Sequence, residues 1–181
     1  MWTSEYTLSE TTLFEVFRLV GRTDVPLLEV CPGSAKAYLA ACAQWERLQW
    51  GEPDFDGSFR PTPIFARIAY GMKEVKSAMR LERTQGGVCL YLRSDVDVIR
   101  LRREGDMWAL SLRPLAEGVR LLSGEAADER DGELLVQDEN GAQHSLSLSQ
   151  TQPGSAERKT ALCGQLAWFY PLYHGEEEGR A

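Results

Sequence analysis

The side chains that could catalyse a reaction or bind a metal are few in this sequence, and they are widely spaced. The 181 residues contain two histidines, His144 and His174, and four cysteines, Cys31, Cys42, Cys89 and Cys163. No cysteine pair has the C-x-x-C spacing of a zinc or redox site, and neither histidine has a second ligand at metal-binding spacing. We therefore predict no metal and no other cofactor, and we expect the cysteines to act as small apolar core residues.

One nucleophilic pair, Cys163 with His174, is compatible with the order of the elements. The last predicted helix and the tail that follows it could bring the thiol next to the imidazole. However, Leu162, Cys163 and Leu166 have the spacing of one apolar helix face, where a thiol is buried and unreactive. The carboxylates of residues 52–56 are explained as surface groups, since nothing around them suggests the burial that raises a carboxyl pKa. The sequence thus predicts no catalytic residue and a protein that is not an enzyme.

Basic and acidic side chains are concentrated in different segments. From Lys73 to Arg103, eight basic residues stand against four acidic ones, whereas from Gly124 to Gly141 seven acidic residues stand against one basic residue. Either these are two solvated surfaces that partly attract each other, or the basic one is a sheet face that receives an acidic partner. The net charge of −7 predicts that the chain binds neither nucleic acid nor an anionic membrane surface.

The bulk composition predicts an ordinary globular domain. Apolar residues make up 43% of the chain and charged residues 26%, which is typical of soluble proteins. We expect one domain over residues 1–174 and an acidic, disordered tail over residues 175–181. The N-terminal residues lack a signal-peptide pattern, and no apolar stretch reaches membrane-spanning length, so the simplest location is the cytoplasm.

A long central segment predicts the sheet that must position any functional side chain. It contains four runs that alternate apolar and polar residues between turn-prone Gly-containing segments, namely Val75 to Arg83, Val88 to Arg93, Asp95 to Leu101 and Met107 to Arg113. Such runs are typical of an antiparallel meander with one face buried and the other in contact with water.

The flanking segments predict helices and a few additional strands. Helical spacing and capping residues indicate helices after Ser9, Ser34, Thr62 and Ser155 and a short one over Leu115 to Leu122. We expect Val25 to Val30 to extend the sheet, and a late hairpin that turns at Asn140-Gly141 is a second candidate for extending it. The predicted fold class is α+β, with an antiparallel meander sheet of about five to six strands and helices packed mainly on one face.

Aromatic and arginine side chains are the best candidates for binding a partner. Two clusters stand out, Trp45, Trp50, Phe55 and Phe59 around one loop and Trp168, Phe169, Tyr170 and Tyr173 at the end of the last helix. Each cluster is either core or a protein-binding surface, because Trp, Tyr and Arg dominate both core burial and interface hot spots. The predicted partner-binding residues are Arg83, Arg93, Arg100, Trp168 and Tyr170.

The first two-thirds of the chain resembles a known family. A helix containing Tyr38 to Trp45 precedes a third helix and then the meander segments Gly87 to Leu92 and Met107 to Pro114. Over residues 8–122 this order is similar to the first half of the secretion-associated chaperones of type VII (ESX) systems. The resemblance implies a chaperone that binds secreted substrates in the bacterial cytoplasm, although it identifies no single binding residue in this chain.

Three functions remain open from the sequence. The leading hypothesis is a non-enzymatic protein-binding module, chaperone-like or adaptor-like, because aromatic and Arg side chains are abundant without a catalytic group. A toxin-neutralising immunity protein is the second, with the acidic stretch Glu125 to Glu139 blocking a basic toxin. The third is a small-ligand binder or enzyme whose pocket, between sheet and helices, converges on Arg83, Arg93 or Arg100.

Overall fold

A seven-stranded antiparallel sheet forms the centre of the computed structural model, which describes residues 6–56 and 58–172. The strands are β1 (Tyr6–Ser9), β2 (Asp24–Val25), β3 (Leu28–Glu29), β4 (Gly51–Pro53), β5 (Phe59–Pro61), β6 (Ser77–Glu82), β7 (Val88–Arg93), β8 (Asp97–Glu104), β9 (Met107–Pro114), β10 (Glu133–Gln137) and β11 (Gln143–Ser147). The large sheet has the order β1-β9-β8-β7-β6-β10-β11, while β2–β3 and β4–β5 are separate small hairpins.

Five helices are described, and they cover both faces of the sheet. They are α1 (Glu10–Leu19), α2 (Ala35–Arg47), α3 (Pro63–Lys73), α4 (Leu115–Asp128) and α5 (Ala156–Phe169). The helices α1, α2 and α3 share one hydrophobic core with the sheet, and α4 and α5 share a second core with its opposite face. The predicted fold class, α+β with an antiparallel sheet and helices packed against it, is confirmed, with three of these helices on one face.

The expectation that one sheet face contacts water is wrong. Alternate residues of β7 belong to different cores, with Leu90 and Leu92 facing α1–α3 and Cys89 and Tyr91 facing α4 and α5. The run Val-Cys-Leu-Tyr-Leu is apolar at every position, which is typical of a strand buried on both faces. Each large apolar side chain that is fully buried contributes about 1.5–3 kcal/mol, so both layers stabilise the fold.

The meander is confirmed and its surroundings differ from the prediction. Strands β6 to β9 pair in sequence, and β10 pairs with β6, so the late hairpin does extend the sheet. Val25 to Val30 does not extend it, since this segment contributes to the isolated hairpin β2–β3. The strand β1 was not predicted, because four residues before a helix cap are too few to show an alternating pattern.

The helix after the meander is longer than the sequence suggested. It begins at Leu115 as predicted but continues past the predicted end at Leu122, through Gly124 to Asp128. Its buried face, Val119, Leu122 and Ala126, keeps helical spacing past the glycine and packs in the second core. Burial of this stripe therefore outweighs the poor helix propensity of glycine.

The predicted tail 175–181, His174 and Tyr173 lie outside the described residues.

Of the first aromatic cluster, Trp45 and Trp50 are fully buried, and both contact the ring of Phe65 with centroids 5.3 and 5.2 Å away. Phe55, by contrast, is fully exposed in the loop between β4 and β5. The cluster is thus mainly core, as the first of the two alternatives predicted.

Candidate protein-binding surface

The strand β11 forms one outer edge of the large sheet. The hydrogen bonds at its two ends show which of its backbone groups face β10 and which face away. Asp138 N donates to Ala142 O at 2.9 Å, and Leu148 N donates to Gly132 O at 2.9 Å. Because bonded pairs alternate along an antiparallel ladder, the backbone amides and carbonyls that point away from β10 belong to Gln143, Ser145 and Ser147. Within residues 6–56 and 58–172, no strand pairs with this side of β11.

The opposite edge of the sheet is closed by a side chain. Gln44 of α2 accepts a hydrogen bond from Ser9 N at 3.2 Å and donates one to Thr7 O at 3.4 Å. The amide of Gln44 therefore occupies the position of a neighbouring strand along β1. Sheet edges are commonly protected in such ways against unwanted pairing, so the two edges of this sheet differ in kind.

Helix α5 places a tryptophan next to the open edge. The Trp168 indole stacks on the His144 imidazole of β11, with ring centroids 4.1 Å apart and planes 6° from parallel. Trp168 is 48% exposed. We name the outward backbone of Gln143, Ser145 and Ser147, together with the Trp168 side chain, the β11 edge surface.

The hairpin turn fixes the position of His144. Asp138 Oδ1 accepts hydrogen bonds from Asn140 N and Ala142 N, both at 2.9 Å, and Asp138 Oδ2 lies 3.4 Å from His144 Nε2. Desolvation alone would raise the pKa of Asp138, but these bonds to its ionised form outweigh it and lower the pKa. The ionised carboxylate thus holds both the turn and the imidazole beneath Trp168.

Tyr170 and Arg93 connect the end of α5 to the sheet. Arg93 is buried, donates to Ser77 Oγ at 2.8 Å and to Glu139, and lies over the Tyr170 ring at 5.7 Å from its centroid. Ser77 Oγ in turn donates to the carbonyl of Phe169 at 2.6 Å. Tyr170 is partly buried and packs against the second core. Of the two predicted aromatic residues, Trp168 is therefore the one presented to solvent.

Arg83 and Arg100 also contact acidic residues of the same chain. Arg83 Nε lies 2.5 Å from Glu129 Oε2, and the buried Arg100 lies 2.9 Å from Glu125. Burial alone would lower the pKa of Arg83, but its hydrogen bond to Glu129 outweighs this effect, so the pKa of Arg83 is raised. Tyr91 is an acid that is neutral when protonated, so burial raises its pKa; its hydroxyl donates to Glu125.

The basic and acidic segments are therefore neighbours in the fold. Their contacts include Arg83–Glu129, Arg100–Glu125 and Arg93–Glu139. The expected mutual attraction of the two charged segments is confirmed, although part of it lies in the interior and not between solvated surfaces.

The thiol considered for catalysis, Cys163, lies at the surface, and the histidine considered as its partner, His174, lies outside the described residues. Cys163 is exposed and not buried as its spacing suggested, because it lies off the stripe formed by Leu162 and Leu166. Cys31 is also exposed, whereas Cys89 is buried.

Among the described residues, no group of three or more His, Cys, Asp and Glu side chains could hold a metal ion. None of the helices in that part of the chain has the length and apolarity needed to cross a membrane.

Comparisons with known proteins leave the family of this chain open. No protein-family model matches the sequence, and no curated protein sequence matches it.

Proposed function

We propose that this chain is a non-enzymatic protein-binding module that accepts an extended segment of its partner at the β11 edge surface. The observation that carries the proposal is the contrast between the two sheet edges. Gln44 occupies the β1 edge, while the outward groups of β11 remain beside a half-exposed tryptophan. A chaperone-like or adaptor-like role, a bacterial cytoplasmic location and a relation to secretion chaperones belong to the same proposal.

Strand addition supplies both affinity and selectivity in such a module. An extended segment that pairs with β11 would gain main-chain hydrogen bonds from Gln143, Ser145 and Ser147. An apolar side chain of the segment would cover Trp168, the kind of aromatic anchor that dominates interfaces. The backbone contacts accept many sequences, whereas the tryptophan selects segments with an apolar residue at one position.

The alternative of an immunity protein draws less support from the charges. Blocking a basic toxin requires the acidic stretch from Glu125 to Glu139 to face outward. Three of its carboxylates instead contact arginines of the same chain, in the pairs Arg100–Glu125, Arg83–Glu129 and Arg93–Glu139.

A pair of substitutions at one edge position tests the proposal. In Ser145→Pro the outward N–H is lost without breaking a bond to β10, whereas Ser145→Thr keeps that N–H and serves as the matched control. We expect wild type and Ser145→Thr to retain the same partner from a native lysate and Ser145→Pro to lose it. With that partner purified, Ser145→Pro should weaken binding at least 10-fold, and Trp168→Ala should weaken it about 30-fold, which corresponds to about 2 kcal/mol.

The folding of each variant is checked by its melting temperature and circular dichroism. Equal affinities for the folded Pro and Thr variants would overturn strand addition as the binding mode. A lysate in which wild type enriches no protein above a Ser145→Pro control would count against the whole proposal.

A further inference from the structure

A cleft of about 330 Å³ opens on the α1 side of the sheet, away from the β11 edge surface. Its floor is formed by β6, β7, β8 and β9, and its walls are the first turns of α1 and the β2–β3 hairpin. The side chains that line it include Phe14, Leu27, Arg80, Leu90, Arg103 and Trp108. A volume of this size is in the range of small-molecule sites.

The cleft exists because the β2–β3 hairpin stands beside α1 and does not join the large sheet. Its tip residue Leu27 adopts φ 60°, a left-handed conformation that is uncommon for a leucine and costs on the order of 1 kcal/mol. Leu27 lines the cleft, and its carbonyl oxygen accepts a hydrogen bond from Arg80 Nη1 at 3.4 Å. Strained backbone of this kind is concentrated at functional sites.

Two guanidinium groups of the cleft are accessible. Arg80 and Arg103 project from the same sheet face on either side of β7, and their side chains are 37% and 48% exposed. The contacts of Arg103 are long: its Nε donates to Gly105 O at 3.3 Å, and its Nη2 lies 3.6 Å from Glu10 Oε2. Arg93 and Arg100 on the opposite face are buried in close ion pairs and offer no comparable access.

Apolar and aromatic side chains line the base of the cleft between these two arginines. Leu90 and Phe14 belong to the first core and form the inner surface of the cleft. The Trp108 indole lies under Arg103, and the distance from its ring centroid to the guanidinium carbon is 5.8 Å. A ligand in this cleft would therefore contact an apolar surface that lies between two positively charged guanidinium groups.

The acidic groups of the cleft limit the charge that it can accept. Glu10 already contacts both Arg103 and the Trp108 indole N–H, the latter at 3.4 Å, and Arg80 pairs with Glu82 on its own strand. Glu29 is exposed at the rim. Because these three carboxylates leave the two arginines no excess of positive charge, a ligand whose single negative charge contacts both guanidinium groups fits the cleft, whereas a polyanion such as a nucleoside triphosphate would be repelled by Glu10 and Glu29.

We propose that this cleft binds a small organic monoanion with an apolar body, such as an aromatic or aliphatic carboxylate or sulfonate. The acid group lies between Arg80 and Arg103, and the apolar body packs against the partly exposed Leu27 and Leu28, above the buried Phe14, Leu90 and Trp108. The site is independent of strand addition at β11, since it lies on the other face of the sheet and uses none of the β11 edge surface.

Two matched fluorescent probes test the charge requirement. The probe 1-anilinonaphthalene-8-sulfonate is a monoanion with an apolar aromatic body, and N-phenyl-1-naphthylamine is its uncharged counterpart. We expect one saturable sulfonate site per chain, at least 10-fold weaker binding in Arg103→Gln and less than a 2-fold change in Arg102→Gln. Arg102 is a strict control because it is the preceding residue on β8 and faces the opposite side of the sheet.

Two exposed thiols locate the bound probe. Cys31 lines the cleft, whereas Cys163 is exposed on α5. Saturating sulfonate should slow modification of Cys31 by a thiol reagent at least 5-fold and leave the rate at Cys163 unchanged, as measured by peptide mass spectrometry.

Three results would overturn the proposal. They are equal sulfonate affinity in folded Arg103→Gln and Arg102→Gln, equal affinity of wild type for the charged and uncharged probes, and equal slowing of both thiols. None of them bears on partner capture by the Ser145 variants, so this site and the proposed function fail separately.

Discussion

The buried arginines show which properties of a residue the local sequence predicts and which it does not. Arg93, Arg100 and Arg158 are buried, although charged residues are expected at the surface. The sequence predicts that Arg93 and Arg100 lie on sheet strands, which the structure confirms. It cannot predict that their partners come from a segment some 25 to 46 residues further along the chain, because such contacts depend on the sheet order.

Arg158 is the clearest side chain that sequence reasoning missed. It lies fully buried at the start of α5 and donates to Thr151 Oγ1 at 2.6 Å and to the carbonyl of Glu129 at 2.8 Å. Further donors reach the carbonyls of Thr151, at 2.6 Å, and Leu148. One guanidinium group thus connects the end of α4, the turn after β11 and the start of α5.

We predict that Arg158→Lys destabilises the fold by about 2–4 kcal/mol, because an ammonium group cannot reach these acceptors in the same fork geometry and leaves buried carbonyls unpaired. Denaturant unfolding measures the change. The control is Lys159→Gln at the next, exposed position, which should stay within about 0.5 kcal/mol of wild type. A similar small loss in Arg158→Lys would mean that the guanidinium contacts are not important for stability.

Helices on opposite faces of the sheet approach the same strand through glycine. A Cβ atom added at Gly71 of α3 would lie 3.0 Å from Ile99 Cδ1, and one added at Gly118 of α4 would lie 2.6 Å from Val98 Cβ. Val98 and Ile99 are consecutive residues of β8 and face opposite layers. From the sequence, Gly118 suggested only a weak helix, since its packing role depends on a strand that precedes it by twenty residues.

Alanine at two glycines of α4 should therefore have opposite effects. Gly118→Ala gains about 1 kcal/mol of helix propensity but forces α4 away from β8, so we predict a net loss of about 1–2 kcal/mol, or roughly 2–8 °C in melting temperature. Gly124→Ala has no atom within 4 Å of the added Cβ and should stabilise the protein by up to about 1 kcal/mol. Stabilisation by both substitutions, measured by thermal unfolding, would refute the close approach of α4.

Across the whole molecule, the sequence predicts the meander, most helix starts and the fold class, because these follow from local periodicity and capping residues. It does not predict the second helical layer, the strand β1 or the closure of β1 by Gln44, because each depends on contacts between distant segments. Of the predicted partner-binding residues, Trp168 lies at the open edge, while Arg93 and Arg100 lie in the interior. Partner binding by Arg83 and Tyr170 remains a prediction.

Over residues 6–56 and 58–172, the sheet has two covered faces, one edge closed by Gln44 and one edge with which no strand pairs. In a protein with this arrangement, the available edge is the part of the surface where a partner gains most from main-chain hydrogen bonds. Partner binding at this edge therefore depends on the individual backbone amides of β11.

Residue-resolved amide hydrogen exchange, measured by NMR on the full chain with and without the captured partner, tests this claim most directly. In the free protein we predict slow exchange at His144 and Leu146, whose amides face β10, and fast exchange at Gln143, Ser145 and Ser147. Saturating partner should slow the latter three amides at least 10-fold. Protection of these amides in the free protein, or their unchanged exchange with partner bound, would contradict the account.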